Sequence, residues 1–309
     1  MDKVGIICVS LIGLHIVKSV INLLYFKWIA PAFGLNANLK EMGGWAVVTG
    51  ATDGVGKAFA FACAKRGLDV VLISRNVEKL GKVAAEIEER HKVNTKIIEA
   101  DFSDSSSEAY HKIAVQLCGL DIGVLINNVG VSYVYPEYFL DVPEKEKVYS
   151  NIIQCNIFPV TFMTNIALQR MVEKRKGVII NIASTAAKIP SPLLTVYGAS
   201  KAYVEKFSED LAYEYGNRGI IVQCLVPGYV ATKMSRISKP TWMAPSPEDY
   251  VESALSSTGL EGITTGYFPH TLLVSTIKAM KSISPRFATW VIKNIMENIR
   301  NRALLRNAK

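Results

Sequence analysis

Five residues, Trp45-Ala46-Val47-Val48-Thr49, run without a break into Gly50-Ala51-Thr52-Asp53-Gly54-Val55-Gly56, and a helix-like stretch from Lys57 to Arg66 follows. No other segment restricts the fold as much. A short, uninterrupted apolar run suits a parallel strand buried on both faces, where polar alternation is not needed. A strand that ends in a glycine turn and opens a helix leaves unpaired N–H groups at the helix start, ready for an anion such as a phosphate. Gly50 permits the tight turn, Gly54 lets the backbone approach a pyrophosphate, and Gly56 allows close helix–strand packing. The spacing is TGxxxGxG and not the commoner GxGxxG, so an ordinary glycine turn is the competing interpretation of this segment alone.

Strand candidates recur at Ala46–Thr49, Val70–Ile73, Lys96–Ala100, Val124–Ile126, Val178–Ile182 and Ile221–Leu225, with helical stretches between them. That alternation predicts an α/β fold with a doubly wound parallel sheet of the Rossmann type. In 309 residues one such domain of roughly 250 residues fits, with a segment left at each end. The expected divisions are a membrane anchor over 1–30, a nucleotide-binding domain over 43–270 and basic amphipathic helices over 271–309. The second strand ends at Ser74-Arg75. An acidic residue usually takes the ribose 2′-hydroxyl of NAD at that place, whereas an arginine suits a 2′-phosphate. NADPH is the cofactor expected, with a surface arginine at a strand end as the alternative.

Tyr197-Gly198-Ala199-Ser200-Lys201 sets a phenol and an ammonium one helical turn apart on a shared face. An ammonium there would stabilise the phenolate. A phenol of reference pKa near ~10 needs lowering by roughly 2–3 units to move protons well near neutrality. Taken alone the pattern occurs by chance in many amphipathic helices. A ketone reduced by hydride develops negative charge on its oxygen and needs a donor where that charge appears. Ser184, beyond the strand Gly177–Ile182, can hold such a carbonyl while Tyr197 donates the proton. A strand-end turn serine is the plain alternative.

Ordered between Gly43 and Gly266, these motifs resemble the short-chain dehydrogenase/reductase family. Thr49–Gly56 matches its cofactor turn, which implies contacts from Thr49, Gly50, Asp53, Gly54 and Gly56, with Ser74 and Arg75 beyond the second strand. Asp101, in Ala100-Asp101-Phe102, matches the acidic residue near the adenine. Asn127-Asn128-Val129-Gly130 matches the family's NNAG with valine for alanine, and brings Asn128 and Gly130 to the cofactor. Asn156 matches the asparagine of the catalytic helix, and Ser184, Tyr197 and Lys201 complete the catalytic tetrad. Pro227-Gly228 and Thr232 match the segment that holds the nicotinamide. The resemblance implies that Lys201 also grips the nicotinamide ribose and that Asn156 holds a water linking Lys201 to solvent. A capping or buried amide is the alternative for Asn156. Gly44–Gly50 and Ile189-Pro190-Ser191-Pro192-Leu193-Leu194 resemble one branch of the family. It contains 17β-hydroxysteroid dehydrogenases and very-long-chain 3-oxoacyl-CoA reductases of the endoplasmic reticulum. That branch often has paired serines and a glycine where this chain has Ile182-Ala183-Ser184-Thr185; the serine that matters is kept.

Val4 to Phe26 is apolar and about long enough to cross a bilayer, interrupted by Lys18. A cleaved signal peptide competes, with Ala30-Pro31-Ala32 as its cleavage site. A cytosolic cofactor and five scattered cysteines (Cys8, Cys63, Cys118, Cys155, Cys224) oppose secretion. Four histidines and no ligand cluster give no support to a metal site. The net charge of +8 resides almost wholly after Thr271, where eight basic residues face only Glu297. The near-neutral remainder excludes a nucleic-acid role for the core. In the tail Leu273, Ile277 and Met280, then Phe287, Trp290, Val291, Ile295 and Ile299, fall at helical spacing. Ser284-Pro285 between them suits an N-cap and first helical position, which predicts two amphipathic helices. Such basic helices suit an anionic membrane surface or the phosphates of CoA; a packing helix with solvated charges is the alternative.

The expectation is an NADPH-dependent ketone reductase in the endoplasmic reticulum membrane, its catalytic domain facing the cytosol. Its substrate would be large and apolar, a very-long-chain 3-oxoacyl-CoA or a 17-keto-steroid. Ile189–Leu194 would form an apolar rim beside the carbonyl, and the segment from Lys239 to His270 a lid over the cofactor, ordinary loop packing being the alternative for both. The alternatives in function are a catalytically silent homologue acting as a scaffold and a reductase of retinal-type aldehydes. Family habit implies a homodimer through the long helices near Asn156 and Tyr197, and the substrate implies fatty-acid elongation enzymes as partners.

Overall fold

Along each strand, successive side chains point to opposite sides, and in this protein both sides are apolar. Ala46, Val48, Val70, Leu72, Val124, Ile126, Val178 and Ile180 pack into one buried layer, and Val47, Val71, Ile73, Leu125, Ile179 and Val222 into another. The computed structural model, which describes residue 25 and residues 29–307, arranges them as one seven-stranded sheet in the order β3-β2-β1-β4-β5-β6-β7. The strands are β1 (Trp45–Thr49), β2 (Asp69–Ser74), β3 (Thr95–Glu99), β4 (Ile122–Asn127), β5 (Gly177–Ile182), β6 (Ile220–Leu225) and β7 (Ile263–Thr264). Every pairing is parallel.

Helices cover both faces. On one lie α1 (Gly54–Lys65), α2 (Val77–His91) and α6 (Pro247–Leu255); on the other lie α3 (Ser107–Gln116), α4 (Lys145–Glu173) and α5 (Thr195–Tyr215). The doubly wound Rossmann-type sheet expected from the strand–helix alternation is the fold adopted. Its strand order reverses between β1 and β4, and the crevice outside their carboxyl ends is where such sheets bind ligands. Local chemistry starts several helices. Asp53, Asn76, Ser106 and Ser246 each cap a helix with a side-chain oxygen.

Two helices follow the sheet, α7 (Phe268–Ile283) and α8 (Pro285–Asn307). The break falls at Ser284-Pro285, where the Phe287 N–H donates to the Ser284 hydroxyl at 3.3 Å. The apolar face of α8 is not the one its periodicity suggested. Ala288 and Ile292 are buried, whereas Phe287, Trp290 and Ile295 are exposed. Small Ala288 allows close packing, so the stripe turns and leaves Phe287 stacked on Trp290 at the surface, ring centroids 6.0 Å apart.

The lid expected over Lys239 to His270 is replaced in large part by core structure. Pro247–Leu255 forms α6, with Tyr250, Val251, Ala254 and Leu255 buried against the sheet, and Ile263–Thr264 adds β7 beside β6. The spacing of those four apolar residues, after a capping Ser246 and Pro247, is a helical signal in its own right. The anchor expected over 1–30 lies almost wholly outside the described residues. Among the described residues no helix is long and apolar enough to cross a membrane.

Candidate active site

Six segments predicted to carry function emerge from the carboxyl edge of the sheet: 49–56, Ser74-Arg75, Asp101, 127–130, Ser184 and 227–232. Parallel strands all point the same way, so every strand-to-helix loop that begins at a carboxyl end shares one rim.

The glycine turn is a close-packed cradle. Gly50 and Gly54 have φ of +65° and +52°, a region that side chains rarely adopt. A Cβ on Gly56 would lie 2.2 Å from the Gly50 carbonyl oxygen, so only glycine lets α1 sit this near the turn. Thr49, fully buried, accepts the N–H groups of Asn128 and Val129 at 3.0 and 3.2 Å, and Asn128 Nδ2 returns a bond to the Thr49 carbonyl at 3.1 Å. These bonds lock the loop after β4 to the turn after β1.

Asp53 caps α1 by accepting the Gly54 N–H at 2.8 Å, and its other oxygen pairs with Lys233 at 2.6 Å. Its partial burial would raise its pKa, but Lys233 and the Gly54 N–H outweigh that and hold it below the usual carboxylate value. Thr232 approaches from the same side, its Cγ2 3.1 Å from where a Gly54 Cβ would stand. The 227–233 loop thus closes over a turn whose shape fits a dinucleotide pyrophosphate. Ser74 shares a hydroxyl contact of 3.2 Å with Thr52, and Arg75 is exposed at the same rim. Asp101 accepts the N–H and hydroxyl of Ser103 at 2.9 and 2.8 Å, and these bonds, with the nearby Arg75 charge, lower its pKa.

Beside this cradle the four tetrad positions converge. The Ser184 hydroxyl lies close enough to the Tyr197 phenol to act on its pKa, and it accepts the Ala186 N–H at 3.2 Å. Lys201, only 4% exposed, donates to the Ile182 carbonyl at 2.9 Å, and its Nζ is 5.9 Å from the Tyr197 ring centroid. Asn156 on α4 holds both backbone groups of Val131: its Oδ1 accepts the Val131 N–H at 2.8 Å and its Nδ2 donates to the Val131 carbonyl at 3.0 Å. Nδ2 also donates to the Ser200 hydroxyl at 2.9 Å. Gly130 faces the gap between the two groups, since a Cβ there would lie 3.1 Å from both Asn156 Oδ1 and Lys201 Nζ.

The electrostatics depart from expectation in one respect. Burial raises the Tyr197 pKa, with the Ser184 hydroxyl acting in the opposite direction, and burial drives Lys201 down to about 8. Desolvation disfavours the charged form of each group and is the leading cause of both shifts. A protonated phenol beside a second hydroxyl is an arrangement that can donate to a carbonyl oxygen.

One residue of this site has no counterpart in the motif analysis. His270, fully buried at the start of α7, accepts the Gly228 N–H on Nδ1 at 3.1 Å. Its Nε2 then carries the proton and faces the carbonyls of Tyr229 and Met243 at 3.1 and 3.2 Å. A Cβ on Gly228 would stand 2.8 Å from the ring. One imidazole therefore joins the Pro227-Gly228 loop, the stretch around Met243 and the C-terminal helices. The buried position of a lone histidine after Pro269 carries no periodic signal that would single it out. The apolar rim 189–194 is half-buried, with Leu193 enclosed at a φ of +66°.

Comparisons with known proteins agree with this architecture. A very-long-chain 3-oxoacyl-CoA reductase of Homo sapiens is 44% identical over 296 residues, covering 96% of this chain and 91% of that protein. The enzyme of the same name from Anas platyrhynchos is 54% identical over 232 residues, 75% of this chain and 74% of its own. Among solved structures, a 7β-hydroxysteroid dehydrogenase superposes with a TM-score of 0.74 at 27% identity, over 83% of this chain and 100% of that one. A short-chain dehydrogenase from Sphingobium yanoikuyae in complex with NADPH gives 0.63 at 27%, over 71% and 86%. The profile described as short chain dehydrogenase matches residues 44–241, the stretch that builds the cradle and all four converging side chains, and the chain belongs to that family.

Proposed function

We propose that this protein is an NADPH-dependent reductase of very-long-chain 3-oxoacyl-CoA. The reaction class rests on the hydroxyls of Ser184 and Tyr197 meeting beside a turn shaped for a dinucleotide, one helical turn from buried Lys201. The substrate rests on the printed names of the relatives that match nearly the whole chain. A nicotinamide dinucleotide, when bound, supplies the hydride. Ser184 and Tyr197 hold the carbonyl oxygen, and Tyr197 transfers its proton to the alkoxide as charge grows there. Burial keeps the phenol protonated until that moment. Lys201 then faces the phenolate at the base of the site, and Asn156 fixes the Val131 backbone beside it. Thr49, Gly50, Asp53, Gly54, Gly56, Asn128, Gly130, Pro227, Gly228 and Thr232 would surround the cofactor, with Ser74, Arg75 and Asp101 at its adenosine end. An endoplasmic reticulum anchor in the first thirty residues, a cytosol-facing catalytic domain, pairing with a second copy and work alongside fatty-acid elongation enzymes complete the proposal.

A cofactor-oxidation screen over 3-oxoacyl-CoAs of rising chain length, 17-keto-steroids and retinal tests the substrate. With about 0.8 kcal/mol gained per buried CH₂, kcat/KM should rise roughly fourfold per methylene until the apolar groove is filled. Better turnover of keto-steroids throughout would replace this substrate with the second reading, which the half-buried rim 189–194 and the steroid dehydrogenase neighbour favour. No turnover of any ketone or aldehyde would leave the silent scaffold. The cofactor is tested by Arg75→Ala, which should weaken NADPH about ten- to a hundredfold and leave NADH nearly unchanged, because only the 2′-phosphate contact is lost. Equal losses for both would refute NADPH selection by this residue.

A further inference from the structure

Among the described residues Glu137 is the only buried acidic side chain, at 5% exposure. A carboxylate is rarely enclosed unless paired, because desolvation penalises its charge. It lies on the loop 131–144, which leaves β4 directly after Asn127–Gly130 and leads into α4. Its Oε1 accepts Arg300 Nε of α8 at 2.5 Å and the N–H of Tyr138 at 2.8 Å. The Tyr138 hydroxyl is hydrogen-bonded to Glu297 of the same helix. Its ring is flanked by Lys293 and Arg300, at 5.8 and 5.6 Å from the centroid. Positions 293, 297 and 300 fall on one face of α8, so the helix grips the loop with a single side.

The same loop is tied to the residues just before Tyr197. The Glu137 N–H donates to the Leu193 carbonyl at 3.0 Å, and the Val196 N–H donates to the Tyr133 hydroxyl at 3.1 Å. A continuous set of contacts therefore runs from the C-terminal helix through Glu137 and Tyr138 to the start of the helix that carries the catalytic phenol. The loop also presents Val134, Phe139 and Leu140 as exposed apolar surface at this edge of the molecule.

We propose that α8 is a strap which, through Arg300 on Glu137 and Glu297 on Tyr138, positions the 131–144 loop against the apolar part of the substrate. Arg300 is a positioning residue: it touches neither the reacting carbonyl nor the cradle, and it sets selectivity for long chains without entering the chemical step. The inference deepens the acyl-CoA reading and rests on it.

Steady-state kinetics of the full-length protein with NADPH and a short and a long 3-oxoacyl-CoA test the strap. Arg300→Ala should raise KM for the long substrate about tenfold and for the short one less than about twofold, with kcat and NADPH affinity within about twofold for both. Arg300→Lys, which keeps the charge, should recover most of the loss. Tyr138→Phe removes one exposed hydroxyl contact and no buried charge, so it should fold where Arg300→Ala does not and shift KM the same way by about threefold. A loss of equal size for both chain lengths, a fall in kcat at constant KM, or no recovery with Lys would overturn the strap. If the wild-type enzyme reduces keto-steroids and not acyl-CoAs, the proposed function fails instead. The same variants, assayed with a bulky and a small ketone, then decide the strap by the same criterion.

Discussion

Ser184, Tyr197 and Lys201 bring two half-buried hydroxyls and one buried amine together, and desolvation pushes both titratable groups towards their neutral forms. Tyr197→Phe should lower kcat by 10²–10⁴-fold, the usual worth of a positioned acid, with cofactor affinity nearly unchanged. Retention of more than about a tenth of wild-type kcat would mean another group donates the proton. Lys201 carries a stability consequence of its own. Its pKa is about 8 in the folded protein against a reference of 10.5, so between those values the unfolded chain binds more protons and stability rises with pH. Below pH 8 the full cost of burying the charge is present. Lys201→Met should therefore be inactive yet more stable than wild type at pH 7, by a few kcal/mol less the cost of an orphaned Ile182 carbonyl. The advantage should shrink as pH approaches 10.5, and urea midpoints at pH 7 and pH 10 measure it. A difference that stays constant or grows with pH contradicts the assignment of burial as the cause.

Between elements, His270 holds the loop after β6 to the stretch around Met243 from the first turn of α7. Its replacement leaves a cavity and an unpaired Gly228 N–H. His270→Ala should cost about 2–4 kcal/mol of stability and weaken NADPH at least fivefold, since the Pro227-Gly228 side of the cradle loses its support. Thermal melting and fluorescence titration check the two effects separately; a stability loss with unchanged cofactor affinity would make His270 a core residue only. At this scale the sequence was legible where periodicity and punctuation agree. Ser284-Pro285 divides two helices as its capping chemistry implies. In 239–270 the scattered prolines and Trp242 suggest a covering loop, whereas the helical spacing of Tyr250, Val251, Ala254 and Leu255 builds a core helix, and two-residue β7 is too short to leave a pattern.

Taken as a whole, the molecule is one parallel sheet with both faces covered, a shared rim at the strands' carboxyl ends, and C-terminal helices folded back towards that rim. Near its start the described chain is already bound to the body. The Ala37 N–H donates to the Thr258 carbonyl at 2.8 Å, Leu39 is buried, and Lys40 reaches the Gly67 carbonyl. Deleting residues 1–28 should therefore leave folding and turnover of a soluble substrate intact within about twofold, and the proposed anchor predicts that the truncated protein is released by high salt. Carbonate-resistant pelleting of the truncated protein would refute an anchor in that segment. Recovery of the full-length product in the medium, shortened near Ala32, would favour a cleaved signal.

Sequence alone was enough for the α/β class, the glycine cradle and the positions that converge at the rim, because these depend on local constraints. A buried parallel strand demands an apolar run, a tight turn demands glycine at Gly50, and an i,i+4 pair on a helix meets whatever surrounds it. What only the tertiary structure decided involves partners far apart in the chain. Glu137 meets Arg300 across 163 positions and His270 meets Gly228 across 42, and no periodicity links such residues. The same holds for the direction of the Tyr197 shift. The YxxxK spacing implies attraction between phenolate and ammonium, but how much water each group loses is set by the β5 edge, the 184–194 loop and β6 packed around them, and desolvation prevailed.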